Sequence, residues 1–145
     1  MPRAGHENLG QLLLRAFRWF DQGLIAHMHA AGWPAIRRSH SLVFAHLDRG
    51  GTRISELARR IGISRQAAQE TVSELVGMGL VELVPDPSNR SARLVMVTHA
   101  GANSVKAARR AYVGMARELE RRIGARSYAA LRKALGRDWG PPPAT

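Results

Sequence analysis

A mostly helical chain with one short antiparallel hairpin (mostly α, α+β) is the fold class this sequence predicts, and three observations predict it. Apolar residues recur three and four apart along most of its 145 residues, the period of amphipathic helices. Residues 80–97 instead run as short apolar stretches around "PDPSN", which is strand and turn chemistry. Finally, "ISELARRIGISRQAAQETVSEL" puts a glycine and then a serine between two helical stretches, the punctuation of a helix-turn-helix. A helix-turn-helix followed directly by a β-hairpin is a winged helix, here with long helices left over at both ends.

The elements follow in order. Residues 1–6 carry no pattern and are expected to be loose. From Glu7 to about Ala31, Leu9, Leu12, Leu13, Ala16, Phe17, Phe20, Leu24 and Met28 predict a first helix that Gly32 stops. Pro34 suits the first turn of a second helix reaching about Leu47, and "DRGG" ends it. Leu57, Ala58 and Ile61 give a short third helix one apolar face; Gly62 takes the turn and Ser64 caps a fourth helix. On a 100° wheel the fourth helix puts Ala67, Ala68, Thr71, Val72 and Leu75 on one side. After the hairpin, a long helix from Ala102 to Ile123 sets Val105, Tyr112 and Leu119 seven apart, with Ala108 and Met115 between them, a short coiled-coil seam. Gly124 ends it, and Ser127 is the expected cap of a last helix carrying Leu131 and Leu135. The predicted units are therefore 1–33, an N-terminal dimerisation helix; 34–97, the winged helix-turn-helix; 98–138, C-terminal dimerisation helices; and 139–145, a tail.

Charge narrows the partner. The net charge is +11 and the pI about 11.6, which attracts polyanions, nucleic acid first among them. Twenty arginines against two lysines also fit a compositional bias toward Arg, so distribution says more than total. Residues 34–62 carry six arginines and two acids, and residues 98–138 ten basic and three acidic side chains, whereas 63–80 have Arg65 against Glu70 and Glu74. Positive charge surrounds the fourth helix without covering it. The side of that helix away from the core holds Ser64, Arg65, Gln66, Gln69, Glu70 and Ser73, whose guanidinium and amides can pair with guanine and adenine edges in a major groove. Taken alone such a face fits an ordinary solvated helix better, since Gln and Arg are good helix formers; the preceding turn and following hairpin favour the groove. The hairpin tip presents Asn89, Arg90 and Arg93, and arginine at such a tip suits a narrow minor groove. Arg37, Arg38, Arg53, Arg59 and Arg60 are the candidates for phosphate contact.

The order of parts resembles the MarR family of bacterial transcriptional regulators. "ISELARRIGISRQAAQETVSELVGMGLVE" is similar to the family's stretch from the first motif helix to the wing, and "DPSNRSARLVMVTHAG" to its wing signature, with Asp86 and Arg90 at the acidic and basic positions and Thr98 to Gly101 opening the next helix. The resemblance covers roughly residues 7–136. Two departures stand out: Asn89 replaces a second wing aspartate, and Glu70 puts a carboxylate on the recognition helix. What the resemblance implies is a cytoplasmic homodimer that binds double-stranded, pseudo-palindromic DNA, usually as a repressor, and that a small ligand between the dimer helices and the winged domain can release. Trp19, Phe20, His27, Trp33, His40 and Phe44 are the candidates for lining that cleft, against the plainer alternative that aromatics at helical spacing are core.

Other chemistries lack their residues. No cysteine is present, so disulfides, thiolate catalysis and cysteine-zinc sites are excluded. His27 and His29 face apart on a helix, and no metal or other cofactor is expected. There is no phosphate-binding glycine loop, G-x-S-x-G, H-E-x-x-H or spaced carboxylate pair, so no enzyme is expected. The only apolar run near the N-terminus, Leu12 to Leu14, is too short for a membrane span or signal, which makes the cytoplasm the expected location. The competing expectation is a nonspecific basic winged-helix module that binds nucleic acid or protein.

Overall fold

The computed structural model describes residues 7–144, so the expectation of a loose segment at 1–6 lies outside the described residues. Six helices and one two-stranded sheet follow in the order α1 (Leu9–Ala30), α2 (Arg38–His46), α3 (Ile54–Ile61), α4 (Arg65–Gly77), β1 (Val81–Asp86), β2 (Asn89–Val97), α5 (His99–Ile123) and α6 (Ala125–Leu135). The mostly helical winged helix-turn-helix expected from sequence is the fold observed.

The centre is the winged part. Val43, Leu57, Val72, Leu75, Leu80, Val81 and Val95 form one buried cluster contributed by α2, α3, α4 and both strands, with Trp33, Ile36, Phe44 and Ile54 packed against it. The turn between α3 and α4 works as its residues demand. Gly62 adopts φ +78°, left-handed backbone that glycine enters without steric cost, and both Gly62 and Ile63 donate their N–H to the Ala58 carbonyl. Ser64 then caps α4 by accepting from the Ala67 N–H at 3.0 Å.

β1 and β2 are antiparallel, registering Val81 with Val97 and Pro85 with Arg93. Thr52 extends this ribbon by one bridge to Val95, at 3.1 and 2.9 Å, so the segment before α3 is stitched to the wing's inner strand. The other end of the wing is held to α5. Thr98 caps α5 by accepting from Gly101 N–H, while its own hydroxyl donates to the Gly79 carbonyl at 2.7 Å. A Cβ at Gly101 would lie 1.9 Å from the Leu80 carbonyl oxygen. The Thr98 to Gly101 motif is therefore the joint at which a helix start is pressed against the wing's entry strand.

Two local expectations are corrected. α2 starts at Arg38, not at Pro34, because the chain stays extended through Arg37, whose backbone N–H donates to His40 Nδ1. Ser127 lies inside α6, whose N-cap is Gly124. Along α5 the residues buried within the chain are Gly101, Ser104, Ala111 and Met115, so Met115 of the expected seam is buried while Val105 and Tyr112 are not. On the α1 side, Gly23 lies against Met115, and the partly exposed Tyr112 ring faces Phe20 at 6.4 Å.

Candidate nucleic-acid interface

α4 buries Ala68, Thr71, Val72 and Leu75 and exposes Arg65, Gln66, Gln69, Glu70 and Ser73, with the capping Ser64 exposed at its start. The face drawn from the sequence thus points outward as a set. Its polar groups are little used internally. Gln66 Nε2 donates to Glu70 Oε1 at 3.3 Å, and among the described residues Arg65 has no salt bridge.

The wing turns in two residues, Pro87 and Ser88, and is anchored beneath that turn. Asp86 is buried; it accepts from the Ser88 N–H at 2.9 Å, the Ser88 hydroxyl at 2.8 Å and Arg53 Nε at 2.6 Å. The Ser88 hydroxyl and backbone, and then Arg53, hold its carboxyl below the usual carboxylate range. Arg53 is the N-cap residue of α3, so the base of the wing is bound to the start of the helix-turn-helix. Beyond that anchor the register slips: Asp86 pairs with Asn89 while Pro85 pairs with Arg93, leaving Arg90 to Ala92 looped out of the ladder. Asn89 accepts from the Ser91 N–H and hydroxyl at 3.1 and 2.7 Å, an internal turn bond that stands where the family's second aspartate would be. Arg90 and Arg93 are exposed, and neither side chain has a hydrogen bond or salt bridge among the described residues.

The five arginines proposed for phosphate are placed differently. Arg53 holds Asp86. Arg37 pairs with Glu74 of α4, and Arg59 with Glu56. Arg60 spans Asp48 at 2.9 Å, Glu56 at 3.0 Å and the His46 carbonyl at 2.9 Å. Hydrogen bonds from Arg59 and then Arg60 lower the Glu56 carboxyl to about 2. Arg38 lies over the Phe17 ring, 5.3 Å from its centre. Four of the five guanidiniums are thus engaged by carboxylates of the chain. Those carboxylates fix α2, α3, α4 and the wing relative to one another.

One cluster was not foreseen from sequence. His40 is buried, accepts from the Arg37 N–H through Nδ1 at 2.9 Å, and presents Nε2 2.7 Å from Glu74 Oε2. The accepting role of Nδ1 leaves Nε2 as the donor. His40 and then Arg37 depress the Glu74 carboxyl. This cluster clamps the N-terminus of α2 to the flank of α4. Its members are 34 and 37 residues apart, beyond any helical spacing that could have signalled it.

A cavity of about 340 Å³ lies between α1, the Pro34–Arg37 segment, α2 and α5. Leu24, Ile25, Met28, Ile36, Phe44, Val105 and Tyr112 supply apolar walls, with Arg37, Arg38 and Arg109 against a single acid, Asp21. Of the six residues proposed for a ligand cleft, only Phe44 lines this cavity. Trp19 and His27 border a separate hollow beside Met115 and Arg122; Phe20 packs edge-on to Trp19 at 4.9 Å, Trp33 joins the core, and His40 serves the clamp. The rest of the lining comes from α1, the segment before α2, α2 and α5, at positions the sequence marks as helix faces or phosphate contacts and not as a cleft.

Comparison with known proteins follows this geometry. Residues 36–90 match the model of the MarR family (MarR_2). Rv2011c of Mycobacterium tuberculosis (strain ATCC 25618 / H37Rv) and Mb2034c of Mycobacterium bovis are each 35% identical over 54 residues, a match spanning 37% of this chain and only 38% of each relative. The fold is similar to that of wild-type MarR from E. coli, at 20% identity, TM-score 0.69 and coverage of 90% of this chain and 96% of that one. It is also similar to RV1404 from M. tuberculosis, at 21% identity, TM-score 0.70 and coverage of 92% and 94%. A third likeness is to the transcriptional repressor CouR bound to a 23-mer DNA duplex, at 22% identity, TM-score 0.66 and coverage of 88% and 89%. The likeness to the MarR family is thus carried by residues 36–90, and the described chain shares the winged-helix fold of these structures.

Proposed function

We propose that the chain is a sequence-specific regulator of transcription that binds double-stranded DNA as a homodimer and acts as a repressor in the cytoplasm. The observation that carries this is a contrast among the arginines near the interface: Arg37, Arg53, Arg59 and Arg60 are engaged by carboxylates, whereas Arg65 on α4 and Arg90 and Arg93 on the wing are exposed and without such partners among the described residues. α4 then enters a major groove, with Arg65, Gln66, Gln69, Glu70 and Ser73 at the base edges, and the wing arginines reach the neighbouring minor groove. Arg37, Arg53, Arg59 and Arg60 act chiefly by positioning these elements, and Arg38 remains the member of that group open to phosphate. CouR, of similar fold, is a repressor bound to a duplex.

Dimerisation rests on the flanking helices. Among the described residues, eleven of the fourteen exposed large apolar side chains lie on α1, α5, α6 or the segment after α6, among them Leu9, Leu14, Phe17, Val113, Leu135 and Trp139. α6 buries no residue in the isolated chain. Such surface needs a partner, and a second copy joined through it presents two α4 helices about 34–36 Å apart, one turn of duplex. The arginine-rimmed apolar cavity suits a small amphipathic anion as the releasing ligand. No catalytic role is proposed. The test is selection of duplexes from a random pool by the full chain, followed by binding of the winner and of single-stranded RNA at several salt concentrations. A palindromic winner that is preferred over RNA, with affinity falling steeply in salt, supports the proposal. Equal binding of both would instead identify a nonspecific basic module.

A further inference from the structure

We infer that Glu70 is a base-selecting residue that makes each half-site of the bound DNA carry a cytosine beneath the second turn of α4. The inference rests on the proposed DNA reading and gives it a sequence. α4 carries two carboxylates with opposite fates. Glu74 is consumed at the flank by His40 and Arg37. Glu70 is exposed and has no salt bridge among the described residues; its one hydrogen bond there comes from Gln66 Nε2, to Oε1, at 3.3 Å, and Oε2 accepts none. On a helical wheel Glu70 lies about 40° from Gln66, which is nearly opposite the buried stripe of Ala68, Thr71, Val72 and Leu75. The carboxylate therefore points where the groove floor would be, steadied by a neighbour one turn earlier.

An ionised carboxylate only accepts hydrogen bonds. In the major groove guanine offers two acceptors, thymine an acceptor and a methyl group, and adenine a donor beside the N7 acceptor. Cytosine alone offers an amino donor with no acceptor next to it. Glu70 is thus matched by cytosine and opposed by the lone pairs of the other bases. Because phosphates also repel it, its contribution is discrimination more than affinity, achieved by penalising the wrong base.

Wild type, Glu70→Gln and Glu70→Ala full-length chains should each select duplexes from the same random pool, with Glu74→Gln as a variant off the face. The expected wild-type consensus has one C·G pair fixed in each half-site. Glu70→Ala should keep the rest of the consensus, lose preference at that pair, and bind duplexes altered there about tenfold better relative to the consensus duplex than wild type does. Glu70→Gln should move that position toward adenine, which a glutamine amide pairs bidentately, while Glu74→Gln retains the cytosine. Identical consensus sequences from wild type and both Glu70 variants would overturn the inference while leaving the regulator intact. Failure of the wild type to enrich any duplex would overturn the regulator and the inference together.

Discussion

The winged segment and the helices around it handle apolar surface in opposite ways. Between α2 and β2, Val43, Leu57, Leu75 and Val95 are fully enclosed by their own chain. α6, by contrast, has no buried residue, and α1 buries only Met28 over 22 residues. The difference separates two kinds of stability. The winged segment is held by burial within one polypeptide, and its geometry is fixed further by cross-links such as Arg53–Asp86 and His40–Glu74. In the proposed dimer a second copy covers the apolar faces of the flanking helices, so their stability should depend on concentration.

The largest expected effect comes from striking the self-contained half. Leu75→Ala removes a fully buried side chain from the centre of the core and should cost about 2–5 kcal/mol in denaturant unfolding; a loss below about 0.5 kcal/mol would mean that α4 is not held by this core. On the other side of the comparison, Leu131→Glu with Leu135→Glu on α6 should convert dimer to monomer by sedimentation while leaving the far-ultraviolet circular dichroism helical. Operator affinity should then fall by more than tenfold, because each half-site must be bound alone. A double variant that still sedimented as a dimer would place the interface elsewhere.

Within the DNA face, Arg65→Ala should cost about 1–3 kcal/mol on the selected duplex and relax sequence preference. Arg90→Ala should weaken binding more evenly across sequences and reduce the salt slope by about one. Equal losses on cognate and unrelated duplexes for both variants would erase the division between helix and wing. The smallest expected effect concerns acid. Asp86 has its carboxyl depressed in the folded state, by Ser88 and then Arg53. Its stabilisation is therefore present above the unfolded carboxylate value of about 3.9 and is lost as pH falls through the lower folded value. Asp86→Asn should lower the melting temperature at neutral pH, and the gap to wild type should narrow at acid pH; a gap independent of pH would remove the charge from the wing's anchor.

What was legible in the sequence was local. Gly62, Ser64 and the spacing of Ala68, Thr71, Val72 and Leu75 each act within one or two turns, and the outward face of α4 follows from them. Asn89 could be recognised as turn chemistry for the same reason. The fates of Arg37 and Arg53 could not, because their carboxylates lie 37 and 33 residues away, and an arginine row looks the same whether it faces phosphate or its own chain. The burial of His40 is equally illegible, because nothing near it in sequence shows that Glu74 will cover it. Ser104 and Ala111 carry little apolar signal, so their burial along α5 was not legible either. The larger Val105 and Tyr112 are left to border the cavity.

Methylation protection on the selected duplex tests the central claim most directly, since guanine N7 lies on the major-groove edge. The account predicts protected guanines in two major-groove segments about one helical turn apart, with Arg65→Ala losing that protection while duplex binding persists. Protection confined to the minor groove, or unchanged by Arg65→Ala, would contradict it.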